Sequence, residues 1–299
     1  MQLELVSVVT SDGVRLDGAL ARPQPGVVSS LGVDAVVLHH GYSANFYMPG
    51  FLATMQERLA SLGVLALQVN NRGHDLVFNS AAGRLGSSYE LMADCRLDWK
   101  AWFDFAESLG CRSVVPWGHS LGAVKTAYYV ATERDARVPG AILSSPPRFS
   151  YSQSVTMERG GAWREVAAEA RRLVEAGRGA ELMQVTEPLN SLMSAATFAD
   201  KYGPEEKYNV LTLLELAKVP VLVTLGALEG TGPESRDWTA FGGVAEQLSQ
   251  IAASQDGVEF EHIEGANHGY SGKNEELWTV ALGWLQRLRI EVAAGERRA

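Results

Sequence analysis

The stretch SVVPWGHSLGAVKTAYYV, residues 113–130, decides how the rest of the chain is read. Its opening, Ser113 to Trp117, is a short β-branched and aromatic run and is predicted as a buried strand. A helix is predicted from Leu121 to about Glu133, and between the two lies Gly118-His119-Ser120-Leu121-Gly122. A serine in G-x-S-x-G on a strand-to-helix turn has its hydroxyl lifted above the carboxyl edge of a sheet, and the small residues beside it let strand and helix pass closely. Ser120 is therefore the candidate nucleophile. A glycine-rich turn without chemistry is the bland reading, and the flanking strand and helix count against it.

On both sides of this stretch, strand and helix alternate. Gln2 to Val9 and Val14 to Ala21 alternate apolar and polar residues around Ser11-Asp12-Gly13, which predicts an opening hairpin. Ala35 to Leu38 and Val64 to Val69 are continuous apolar runs, the pattern of strands buried on both faces. Phe51, Met55, Leu59 and Leu62 place a helix between them, ended by Gly63. Ser87 and Glu90 read as a capping box for a helix that carries Leu91, Cys95, Trp99, Trp102, Phe105 and Leu109 on one face. Further apolar runs fall at Ala141 to Leu143, Val219 to Leu225 and Val258 to Ile263. Helices are expected over Phe241 to Ala253 and along Leu277, Val280, Trp284 and Leu288. The expected fold class is α/β, a doubly wound and mostly parallel sheet. Between Pro146 and Lys218 the pattern is helical, led by Trp163, Val166, Ala170 and Leu173, with no strand-like run. Residues 1–145 and 219–299 are thus read as the core and 146–218 as an inserted helical cap.

A serine hydroxyl needs a base, and Gly265-Ala266-Asn267-His268-Gly269 supplies His268 in the loop between the last strand and the last helix. Strand order, G-H-S-L-G, cap and terminal histidine together resemble the α/β-hydrolase fold family over nearly the whole chain. The resemblance implies an orienting acid in the loop after the strand at Val219 to Leu225, where Gly226-Ala227-Leu228-Glu229 has glutamate in place of the commoner aspartate. Glu229 is the expected acid, with Glu234 and Asp237 as rivals. The same resemblance implies an oxyanion hole from the backbone amides of Leu121 and, in His39-His40-Gly41-Tyr42, of Tyr42. His40 is expected to brace that loop and His39 to end a strand. Arg72, in Asn70-Asn71-Arg72-Gly73-His74-Asp75, reads either as a buttress of the loops or as a clamp for a substrate carboxylate. Tyr42, Phe46, Tyr47 and Tyr270 adjoin the catalytic loops and, with Trp163 from the cap, are the expected pocket residues.

Composition narrows the partners. A net charge of −9 and the isolated arginine pairs Arg171-Arg172 and Arg297-Arg298 leave no basic stripe for nucleic acid. Cys95 and Cys111 match no disulfide framework, and no cluster has metal-ligand spacing, so no metal and no cofactor are expected. With no basic-then-apolar leader and no run of about 18 apolar residues, the expected location is cytoplasmic and the expected partner a small-molecule acyl substrate. A homo-oligomer stays open. The expected reaction is cleavage of a carboxylic ester, thioester or amide through an acyl-enzyme on Ser120. Acyl transfer or cyclisation by the same intermediate, and a non-catalytic ligand receptor on the same fold, are the alternatives.

Overall fold

The computed structural model describes residues 2–232 and 237–296, so Glu234 and the Arg297-Arg298 pair lie outside the described residues. The chain opens with the expected hairpin, β1 (Leu3–Val9) and β2 (Arg15–Ala21), paired antiparallel. Next come β3 (Ala35–His39), α1 (Phe51–Ser61), β4 (Leu65–Val69), the small hairpin β5 (Phe78–Ser80) and β6 (Gly83–Leu85), and α2 (Cys95–Ser108). The half closes with β7 (Val114–His119), α3 (Leu121–Thr132) and β8 (Ala141–Ser144). A segment of different character follows: α4 (Tyr151–Ser154), α5 (Gly160–Glu175), β9 (Leu182–Val185), β10 (Ser191–Ser194), α6 (Ala195–Tyr202) and α7 (Val210–Leu216). The alternation then resumes with β11 (Val221–Gly226), α8 (Trp238–Phe241), α9 (Val244–Ser254), β12 (Val258–Ile263) and α10 (Asn274–Glu296).

Eight strands form one sheet in the order β1-β2-β4-β3-β7-β8-β11-β12. From β4 to β12 all neighbours are parallel, and only β1 and β2 run antiparallel to their partners. The period-2 geometry of a strand divides β3 between two cores: Ala35 and Val37 face the side of α2, α3 and α9, while Val36 and Leu38 face that of α1 and α10. All four are fully buried, and each valine or leucine so placed contributes about 1.5–3 kcal/mol. This explains why the run carries no polar residue.

Three expectations change. Ser87 and Glu90 cap no helix: Ser87 Oγ donates to the Asp75 carbonyl, Glu90 is fully buried against two lysines, and α2 starts only at Cys95 after a 3₁₀ turn at Met92–Asp94. The helix expected over Phe241 to Ala253 is divided by Gly242 and Gly243, the latter at φ 72°. The segment expected to be purely helical contains the β9–β10 hairpin, whose four-residue strands are too short to show alternation against a helical background. At its far end, α7 packs on α3 and α9 and so joins the layer that covers the sheet. Among the described residues, no helix is long and apolar enough to cross a membrane.

Candidate active site

Ser120 leaves the end of β7 at φ 55° and ψ −123°, and its amide donates to the Ser144 carbonyl at 2.8 Å. A non-glycine residue at positive φ is strained, and here the surrounding contacts impose it. Gly118 and Gly122 allow the turn. A Cβ on Gly118 would collide with the Gly122 carbonyl, and one on Gly122 with the His40 carbonyl.

His268, in the loop between β12 and α10, places Nε2 3.0 Å from Ser120 Oγ and Nδ1 2.5 Å from Glu229 Oε1. With Nδ1–H donating to the carboxylate, Nε2 carries the lone pair that can receive the serine proton. Glu229 is held as firmly as its partner. Its side chain is 1% exposed, and Oε2 accepts from the Gly226 amide at 2.8 Å and from Ser145 Oγ at 2.6 Å. Asp237, the rival within the described residues, borders the same cavity, with Oδ2 3.4 Å from the Gly230 amide.

Nothing in the sequence singles out His119, because it fills a variable position of the motif. Its Nε2–H donates to the His268 carbonyl at 2.8 Å, tying the His268 loop to the Ser120 turn. Burial pushes its pKa down to about 3, aided by the neighbouring His268, so the ring is neutral and makes this bond without adding charge.

Beside these groups lies a cavity of about 480 Å³. Core residues Gly41, Tyr42, Leu121 and Phe241 meet Phe149, Pro188, Leu189 and Tyr202 of the inserted segment around Ser120 and His268. Leu121 is the first residue of α3, so its amide has no acceptor within the helix. The turn at Gly41 runs beside Ser120, since a Cβ on Gly41 would lie 2.9 Å from Ser120 Cβ.

Of the expected pocket residues, Tyr42 alone lines this cavity. Tyr270 is fully buried beneath Glu229, its hydroxyl 2.9 Å from Ser145 Oγ and 2.8 Å from Thr224 Oγ1. Trp163 is fully buried within the inserted segment, donating from Nε1 to the Tyr202 carbonyl. Phe46 and Tyr47 pack on each other edge to face, neither lines the cavity, and Tyr47 is 67% exposed. Adjacency in sequence misled here, because a loop residue's side chain can leave on either side. Arg72 is no clamp: its guanidinium is spent on Asp98 and Asp12 at 2.8 Å each, and those carboxylates outweigh burial to raise its pKa. His40 is buried and neutral, its pKa pushed down to about 3 by burial, with Nδ1–H donating to the Gly41 carbonyl. No group of His, Cys, Asp and Glu among the described residues is placed to hold a metal ion.

This combination of a parallel sheet, a strained serine at a strand-to-helix turn and a histidine from the last strand-helix loop defines a class. Residues 36–278 match the model of the alpha/beta hydrolase family, and the chain belongs to that family. Among solved structures it is similar to the alpha/beta hydrolase GrgF from Penicillium sp. sh18, with 16% identity, a TM-score of 0.67, and 97% of this chain and 100% of that one covered. It is similar too to Est1E from Butyrivibrio proteoclasticus with ferulic acid bound, at 16% identity and a TM-score of 0.62 over 97% and 100% of the two chains. A proline iminopeptidase from Mycobacterium smegmatis gives 16% identity and a TM-score of 0.60 over the same shares. No curated protein matches the sequence.

Proposed function

We propose that this protein is a serine hydrolase that cleaves a carboxylic ester carrying an apolar group, through an acyl-enzyme on Ser120. The observation that carries the reading is the hydrogen-bonded chain Ser120–His268–Glu229 at the edge of an apolar-lined cavity. As Ser120 Oγ attacks the carbonyl carbon, His268 Nε2 takes its proton and then returns it to the leaving alkoxide. Glu229 holds the imidazole in the needed tautomer and stabilises the imidazolium. The amides of Tyr42 and Leu121 receive the negative charge that develops on the carbonyl oxygen. Water then attacks the acyl-enzyme with His268 again as base. The side chain of His268 is 41% exposed, and a base open to water favours hydrolysis over transfer to another acceptor. The segment from Pro146 to about Asn209 acts as the cap that shapes the substrate pocket.

Reaction with a fluorophosphonate probe, followed by a screen of p-nitrophenyl esters of graded acyl length, tests the reading. The probe should label wild-type protein at Ser120, and Ser120→Ala should lose both the label and roughly 10³-fold or more in kcat. Labelling or full turnover that survives the substitution would overturn it.

A further inference from the structure

Away from the reacting atoms, one charged side chain of the inserted segment meets a second buried cation of the core. Lys201 of α6 is fully buried, and its Nζ lies 2.8 Å from Glu90 Oε1. Glu90 Oε2 takes a second buried lysine, Lys125 of α3, at 2.5 Å. Two buried lysines therefore share one buried carboxylate. Such an arrangement costs desolvation free energy that an apolar side chain would not, so stability alone is a poor reason for Lys201.

The cluster continues to the loop that supplies the proposed oxyanion amide. Lys125 Nζ donates to Asn71 Oδ1 at 2.6 Å, and Asn71 Nδ2 lies 3.4 Å from His40 Nε2, the ring whose Nδ1–H holds the Gly41 carbonyl at 2.8 Å. On the other side Lys201 Nζ sits over the Tyr42 ring, 5.6 Å from its centre, and the Tyr42 hydroxyl lies 2.5 Å from Ser191 Oγ of β10. Residues 40–42 are thus gripped from one side by a core polar chain and from the other by two residues of the inserted segment.

We infer that Lys201 is a positioning residue for the oxyanion hole, coupling the seating of the cap to the placement of the Tyr42 amide beside Ser120. This rests on the acyl-enzyme reading above. With the cap seated, Glu90 is shared, the 40–42 turn is held, and the amide is aimed before substrate arrives. With Lys201 withdrawn, Glu90 and Lys125 remain a balanced pair while the turn loses its outer support.

Lys201→Met makes the test, since it leaves that pair intact and keeps the side chain's volume. The variant should keep its circular dichroism and melt cooperatively. Its kcat for a p-nitrophenyl ester should fall roughly 10- to 100-fold with KM little changed, because an oxyanion donor acts in the transition state. The inhibition constant of n-butylboronic acid, whose boron becomes tetrahedral as Ser120 Oγ adds and His268 takes the proton, should rise by the same factor. Tyr42→Phe, which removes the Ser191 tether and leaves the charge cluster whole, should show the same split between kcat and KM. A folded Lys201→Met with wild-type kcat and boronate affinity overturns the inference, as does a loss confined to KM. Should Lys201→Met fail to fold, Lys201→Gln, which keeps a polar end beside Glu90 but carries no charge over the Tyr42 ring, takes its place, and wild-type kcat and boronate affinity in that folded variant overturn the inference. Full turnover in Ser120→Ala is a separate outcome that would bring down the acyl-enzyme reading and the coupling with it.

Discussion

At the scale of single residues, the strained backbone of Ser120 and the short contact between His268 Nδ1 and Glu229 Oε1 are the features to which activity should be most sensitive. Glutamate fits the proposed orienting role because Oε1 meets the histidine while Oε2 is tied down by the Gly226 amide and Ser145. Glu229→Gln should lower kcat by about 10²- to 10⁴-fold in a folded protein, as loss of an orienting acid does elsewhere. Asp237→Asn, measured beside it, should change kcat by no more than about threefold. The reverse pattern would move the orienting role to Asp237. The glutamate was legible in the sequence through its loop. The Ser145 donor was not, because it reaches Glu229 from just past the end of β8, 84 positions away in the chain.

Among the elements, α5 carries the most obvious apolar stripe in the segment proposed as the cap, yet its Trp163 is consumed in packing against Tyr202. The pocket wall comes from the less regular pieces, Phe149 before α4 and Pro188 and Leu189 between β9 and β10. Substrate range should follow them. Leu189→Ala should shift the ratio of kcat/KM between long and short acyl esters by about 10-fold toward the longer chain, the effect expected of one or two methylene volumes in an apolar pocket. Trp163→Phe should leave that ratio unchanged. Unaltered preference in Leu189→Ala would show that the acyl chain lies elsewhere.

On the scale of the whole molecule, three histidines are held without charge, His39 and His40 buried and His119 half-buried. Burial drives the pKa of His40 and His119 down to about 3 and that of His39 well below its ordinary 6.5. The unfolded chain takes up protons at these rings as the pH falls through about 6.5, whereas the folded chain does not at His40 and His119 until near 3, nor at His39 until well below 6.5. The unfolded state is therefore the better proton acceptor in between, and stability is lost on acidification across that window. Each ring should cost on the order of 1 kcal/mol per pH unit below 6.5. Burial would raise the pKa of Glu90, but Lys125 and Lys201 hold it down to about 2, so a second loss begins below its ordinary 4.5. Urea unfolding at pH 7, 6 and 5 checks the first part: midpoints that do not move between pH 7 and 5 would show that the rings are not held neutral.

What the sequence determined by itself was local in origin. Strand and helix periods, the G-H-S-L-G turn and the position of His268 after the last strand follow from short-range sterics and from the order of elements, and together they imply the sheet and bring Ser120 and His268 to one edge. Tertiary structure decided whatever depends on where a side chain points after the chain has turned. Glu90 shows the difference: its spacing from Ser87 satisfies a helix-capping pattern, yet in the fold its carboxylate is claimed by Lys125 and Lys201 from distant elements. Tyr270 shows it again, next in the chain but one to the proposed base and buried beneath Glu229 rather than facing substrate. A local pattern states which partner a residue could have. Packing brings in groups from far along the chain, and the partner that removes the larger desolvation cost prevails.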